Sequence, residues 1–174
     1  MNQKLNLETA PSTLLLFGLA GSGKSFVGDL IADLAGWHVY HADDDLTPEM
    51  IDALNKQQAF TQKMRDDYFA YIVENIKSLQ KKYPRLVVTQ GTYKQKHRDY
   101  LLACLEDIEL ICVESSLELV TQRLRTRKQG ISLASATALQ QDFEAPGTST
   151  RVLTNNAGKN EIIRQLNAFF AASR

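Results

Sequence analysis

The run Gly18-Leu19-Ala20-Gly21-Ser22-Gly23-Lys24-Ser25 constrains this chain more than any other feature. It fits Gly-x4-Gly-Lys-Ser, a loop whose backbone amides close around phosphate, and such a loop works only between a strand and a helix. The flanks supply both. Ser12–Phe17 is a short, nearly continuous apolar run, the pattern of a strand buried on both faces. Ser25–Ala35 carries apolar residues at 27, 30, 31 and 34, at helical spacing, with Gly36 placed to end the helix.

The same alternation continues along the chain. Trp37–Tyr40 reads as a second strand running into Asp43-Asp44-Asp45, and a short helix is expected from about Thr47. Met64, Tyr68, Tyr71, Ile72, Ile76, Leu79 and Tyr83 form one apolar stripe that predicts a long helix over Thr61–Tyr83, ended by Pro84. Leu86–Thr89 and Ile108–Val113 read as further buried strands, each followed by a helical segment. Ser115 with Glu118 reads as a capping box for a helix over Leu117–Arg127. A polar segment, Lys128–Phe143, leads to a weak strand at Arg151-Val152-Leu153. The last helix is expected over Asn160–Ala172, burying Ile162, Ile163, Leu166, Phe169 and Phe170. Repeated strand–helix units with strands apolar on both faces imply an α/β fold, a three-layer sandwich with a five-stranded parallel sheet covered on both sides.

A chain of 174 residues suits one domain, read here as 1–174 with residues 1–11 as an N-terminal tail. Twenty Lys and Arg against twenty Asp and Glu leave no net charge, so nothing favours nucleic acid or an anionic membrane as partner. A small molecule fits better. Cys104 and Cys112 lack metal or redox spacing and read as core thiols. No basic region followed by an apolar stretch opens the chain, and a cytoplasmic monomer or homodimer is the expectation.

The loop names its own chemistry. Its glycines let successive N–H groups turn inward, and the helix N-terminus adds positive partial charge beneath the phosphates. Contacts to ATP are expected from Gly18, Ala20, Gly21, Ser22, Gly23, Lys24, Ser25 and Phe26, with Lys24 on the β- and γ-phosphates and the Ser25 hydroxyl on Mg²⁺. Transfer to a hydroxyl also needs a carboxylate to take its proton. Asp43, Asp44 and Asp45 lie just past the second strand, at the carboxyl edge where ligands bind in open parallel sheets. Arg123, Arg125 and Arg127 end a helix before the polar segment, where arginines could close over ATP. Arg65 and the group Lys94, Lys96, His97 and Arg98 could bind an anionic acceptor, whereas His41 reads as structural.

On these residues the chain resembles the gluconate kinase family, relatives of shikimate kinases within the nucleoside-monophosphate-kinase-like fold. The likeness runs from about Leu14 to Pro146. It rests on Gly18–Ser25, Asp43-Asp44-Asp45-Leu46-Thr47-Pro48, Arg65, Lys94-Gln95-Lys96-His97-Arg98-Asp99, and Arg123 with Arg127. The resemblance implies an aspartate base after the second strand, acceptor binding by Arg65, Lys94 and Arg98, a catalytic Arg127 and a small lid at about 128–143. It departs where His41-Ala42-Asp43 and Thr47 replace the family's acidic pattern and histidine, so matching strand ends makes Asp43 the base and counting back from Pro48 makes it Asp44. Gln57–Gln62 and Ile131-Ser132 also replace family elements on the acceptor side. A shikimate- or nucleoside-type kinase, or a regulatory P-loop module without an acceptor, stays open at this stage.

Overall fold

The computed structural model describes residues 3–126 and 140–172. Arg127 and the expected lid up to residue 139 lie outside the described residues. In chain order the elements are β1 (Thr13–Phe17), α1 (Lys24–Ala35), β2 (His38–His41), a single 3-10 turn (Ala42–Asp44), α2 (Pro48–Asn55), α3 (Gln62–Lys82), β3 (Leu86–Thr89), α4 (Gln95–Cys104), β4 (Ile108–Glu114), α5 (Leu117–Thr126), β5 (Val152–Thr154) and α6 (Lys159–Phe170). The strands form one sheet in the order β2-β3-β1-β4-β5, every pair parallel. The expected five-stranded parallel α/β architecture is therefore present.

Alternation along the central strands divides the interior in two. Leu14, Leu16, Val87, Ile111 and Val113 face one core, closed by Val27 and Ile31 of α1 and by Ile162, Ile163 and Leu166 of α6. Leu15, Phe17, Leu86, Val88, Leu110 and Cys112 face the other, closed by Tyr68, Ile72 and Ile76 of α3 and Leu101 of α4. Both faces of the strands are dry, which is why their sequences are apolar without a break. The helix boundaries have local causes. Thr47 and Thr61 accept hydrogen bonds from the Met50 and Met64 amides at the starts of α2 and α3, and Gly36, in the left-handed region, ends α1.

Three expectations change. In the segment read as an N-terminal tail, of which residues 3–11 are described, Leu5, Leu7 and Ala10 are buried in the α1–α6 core. The segment is tied to α6 by Asn6 N–H to Asn167 Oδ1 (2.7 Å), Asn167 Nδ2 to the Lys4 carbonyl (2.9 Å) and Thr9 N–H to the Phe170 carbonyl (3.0 Å). The cap of α5 is Ser116, whose Oγ accepts from Leu119 N–H at 3.3 Å, while Ser115 points to the phosphate loop. Cys112 is buried, and burial raises its thiol to about 12, but Cys104 is only partly covered.

Leu7→Ala is expected to lower unfolding free energy by about 2–5 kcal/mol, the cost of deleting a buried leucine side chain. Urea denaturation reads it directly. A change within about 0.5 kcal/mol would show that Leu7 adds little to that core.

Candidate active site

β1 delivers the glycine loop to the carboxyl edge of the sheet, in a space too tight for side chains. A Cβ at Gly18, where φ is 149°, would lie 2.3 Å from the Val113 carbonyl oxygen; at Gly23, where φ is 96°, it would lie 2.0 Å from Asn155 Nδ2. The loop's carbonyls are held from outside. Lys24 Nζ donates to the Gly18 and Leu19 carbonyls, both at 3.0 Å. Arg123 Nη1 donates to Gly21 O (3.0 Å), Ser22 O (3.3 Å) and Ser115 Oγ (2.8 Å), and its Nη2 to Asn155 O (3.1 Å). Asn155 Nδ2 donates to Ser22 O at 3.1 Å. With carbonyls anchored behind, the first turn of α1 has no side-chain cap at Gly23, so its amides face outward as an anion site. The cradle fits a nucleotide's phosphates, and Ser25, exposed on the first turn, fits a ligand for their cation.

The loop opens into a cavity of about 520 Å³, within the ordinary range for small-molecule sites. Ala20, Gly21, Gly23, Lys24 and Ser25 line one end; Asp43, Asp44, Arg65, Lys94 and His97 line the rest, with Leu46, Met50, Phe60, Tyr68 and Phe69 as apolar wall. β2 and its 3-10 turn bring in the aspartates. Asp43 Oδ1 accepts from Gln90 Nε2 at 2.9 Å, and Gln90 is itself fixed by Thr92, whose Oγ1 donates to Gln90 Oε1 at 3.0 Å. Tyr68 donates to the Ala42 carbonyl at 2.5 Å, pinning the turn from beneath; burial raises its hydroxyl's pKa. Asp45 turns away from the cavity to Tyr40 Oη (2.6 Å) and Asn75 Nδ2 (2.9 Å). The three aspartates thus separate into two in the cavity and one structural.

Arg65 and Lys94, both on the cavity wall, meet around Asp142. Arg65 Nη2 lies 3.2 Å from Asp142 Oδ2, and Lys94 Nζ lies 3.9 Å from Asp142 Oδ1 and 4.0 Å from Glu144 Oε1. His97 stacks on Phe69 with ring centroids 4.1 Å apart, its Nε2 2.9 Å from Asp66. Burial lowers the imidazole's pKa despite that carboxylate, which favours a neutral ring donating to Asp66. Hydrogen bonds from His97 and Lys96 in turn hold Asp66 down to about 2.

Arg98 is a correction. It is 2% exposed, lies outside the cavity, and donates to the carbonyls of Thr92 (2.9 Å), Tyr93 (3.1 Å) and Glu144 (2.7 Å) above the ring of Phe17. Its role is to join the β3–α4 loop to the segment after residue 140, because burial demands that every donor of the guanidinium find an acceptor. Arg123 lines the cavity but braces the loop instead of closing over it, and Arg125 is exposed elsewhere. Phe26 has a half-exposed ring and is not part of the cavity wall, and the Ala20 amide donates to Tyr93 Oη at 3.0 Å.

Gln90, Tyr93, Asn155 and Asp142 were not singled out from sequence, and Ser115 was read only as a helix cap. Gln90 had a legible signal, a polar residue ending the apolar run Leu86–Thr89 at the ligand-binding edge. The others reach the site from distant parts of the chain.

No family model matches the sequence. A gluconokinase of Gluconobacter oxydans (strain 621H) is 25% identical over 165 residues, 91% of this chain and 93% of that protein. A probable gluconokinase of Mus musculus is 57% identical over 35 residues, 20% of this chain and 19% of its own. Among solved structures, a gluconokinase from Sinorhizobium meliloti 1021 superposes with a TM-score of 0.74 at 23% identity, covering 91% of this chain and 90% of its own. A shikimate kinase from Acinetobacter baumannii in complex with shikimate gives 0.59 at 15% identity, covering 94% and 92%. The chain thus has the fold of the P-loop kinases and is a homologue of a gluconokinase along nearly its whole length.

Proposed function

We propose that this protein is an ATP-dependent kinase of the gluconate kinase type, moving the γ-phosphoryl group of ATP to a hydroxyl of a sugar acid or a closely related metabolite. One observation carries the reading: the phosphate cradle and two carboxylates open into the same cavity, with Arg65 and Lys94 also on its wall. The likeness to a gluconokinase along nearly the whole chain supports the sugar-acid class.

In this reading the first-turn amides of α1 and Lys24 hold the β- and γ-phosphates. Lys24 need only swing its ammonium from the Gly18 and Leu19 carbonyls toward the phosphates to do so. Ser25, with Asp43 nearby on the cavity wall, would hold Mg²⁺, which supplies charge neutralisation on the phosphates when bound. Asp43 takes the proton of the acceptor hydroxyl as the oxygen attacks the γ-phosphorus; the bond from that phosphorus to the β-γ bridging oxygen breaks, and ADP leaves. Gln90 supports Asp43 over Asp44 as the base, because its amide fixes the carboxylate's orientation. Arg65 and Lys94 take the acceptor's carboxylate. Arg127 is proposed to add positive charge to the transferring group, as the family resemblance implies.

Lys24→Ala is expected to lose about 10²-fold or more in kcat with gluconate as acceptor, since it removes a phosphate contact, and thermal unfolding reads separately any cost of losing its bonds to the Gly18 and Leu19 carbonyls. Turnover at the wild-type rate would overturn the role of the loop.

Asp43→Asn is expected to lower kcat by about 10²–10⁴-fold while KM for ATP changes little. If Asp44→Asn produces that loss and Asp43→Asn does not, Asp44 is the base.

A further inference from the structure

The cations assigned to the acceptor are already in contact with the protein's own carboxylates. Arg65 comes from the first turns of α3 and Lys94 from the residue preceding α4, and Asp142, arriving from the segment before β5, sits between them at 3.2 Å and 3.9 Å. Glu144 lies 4.0 Å from Lys94 as well. Arg65 is mostly covered, with 21% of its side chain exposed, and Asp142 is 41% exposed, so the pair is only partly shielded from solvent. Lys96 does not relieve the balance, since it pairs with Asp66 at 2.9 Å and is not part of the cavity wall. His97 is part of that wall but, buried against Phe69, adds no full charge.

Two cations facing two carboxylates present no surplus of positive charge among the described residues at this part of the cavity wall. An acceptor with a carboxylate group must therefore displace a carboxylate that is already there. Asp142 is tethered close by, which gives it a high effective concentration against any free competitor.

We propose that Asp142 is a specificity-determining residue of the acceptor site: its carboxylate occupies the Arg65–Lys94 pair in the place an acceptor's carboxylate would take, and so sets the affinity for anionic acceptors. The inference rests on the assignment of Arg65 and Lys94 to the acceptor. A neutral polyol, with no carboxylate to place there, gains nothing from the removal of Asp142. A sugar acid gains a freed cation. Asparagine keeps the size and one hydrogen-bond acceptor for Arg65 while removing the charge, so it separates competition from architecture.

The test is the affinity of wild-type protein and Asp142→Asn for gluconate and for the neutral polyol sorbitol, by isothermal titration, with thermal unfolding to confirm equal folding. Gluconate is expected to bind Asp142→Asn roughly three- to tenfold more tightly, with sorbitol and ATP affinities unchanged. In steady state the same variant should lower KM for gluconate without lowering KM for ATP. Equal or weaker gluconate binding by the variant, or no gluconate binding by either protein, overturns the inference. Failure of the proposed reaction reads out separately, as wild-type protein that binds gluconate but releases no ADP in its presence.

Discussion

A glycine loop can aim its amides at a phosphate only if its carbonyls are held somewhere else. In this chain they are held by side chains from two distant places and by a lysine of the loop itself. Arg123 of α5 takes the carbonyls of Gly21 and Ser22, Asn155, just past β5, takes Ser22 again, and Lys24 takes those of Gly18 and Leu19 until a phosphate draws its ammonium away. Ser115 at the end of β4 lies 2.9 Å from the carbonyl oxygens of both Ser22 and Asn155, which locks the β4 and β5 ends together behind the loop. The sheet order matters for this reason: β1 lies at the centre, and β4 and β5 on one side supply the brace.

The other side of β1 supplies the chemistry. β3 and β2 end beside the loop in parallel register, so Gln90 and the 3-10 turn bearing Asp43 and Asp44 arrive at the same edge. Tyr68 and Gln90 form a layer beneath that turn, and Asp45 is drawn off to Tyr40 and Asn75. One half of the sheet fixes the phosphate loop, and the other half places carboxylates where an acceptor hydroxyl would lie.

The elements were legible because each has a local cause. Apolar runs in β1, β3 and β4 report burial on two faces, the stripe from Met64 to Leu79 reports one helix face, and Gly36 and Pro84 mark helix ends. The glycine loop was legible for the same reason, since one contiguous stretch carries its function. Arg98 was not. Nothing in Lys94–Asp99 distinguishes a cation that faces a cavity from one that is buried above Phe17 and tied to three carbonyls, because those partners lie at 92, 93 and 144. Leu5 and Leu7 were missed because their burial depends on α6, at the other end of the chain. Asp142 was missed because a lone aspartate in a polar segment has no local pattern; only the fold sets it against Arg65.

One cavity that joins a nucleotide cradle to a hydroxyl-bearing acceptor makes ATP turnover depend on that acceptor. The most direct measurement is ADP formation by wild-type protein with Mg²⁺ and ATP, alone and with gluconate, shikimate, neutral polyols or nucleosides. Strong stimulation by a sugar acid, with phosphorylated product matching ADP formed, is the expected result. ADP formation that no acceptor increases, beside clear ATP binding, would contradict it.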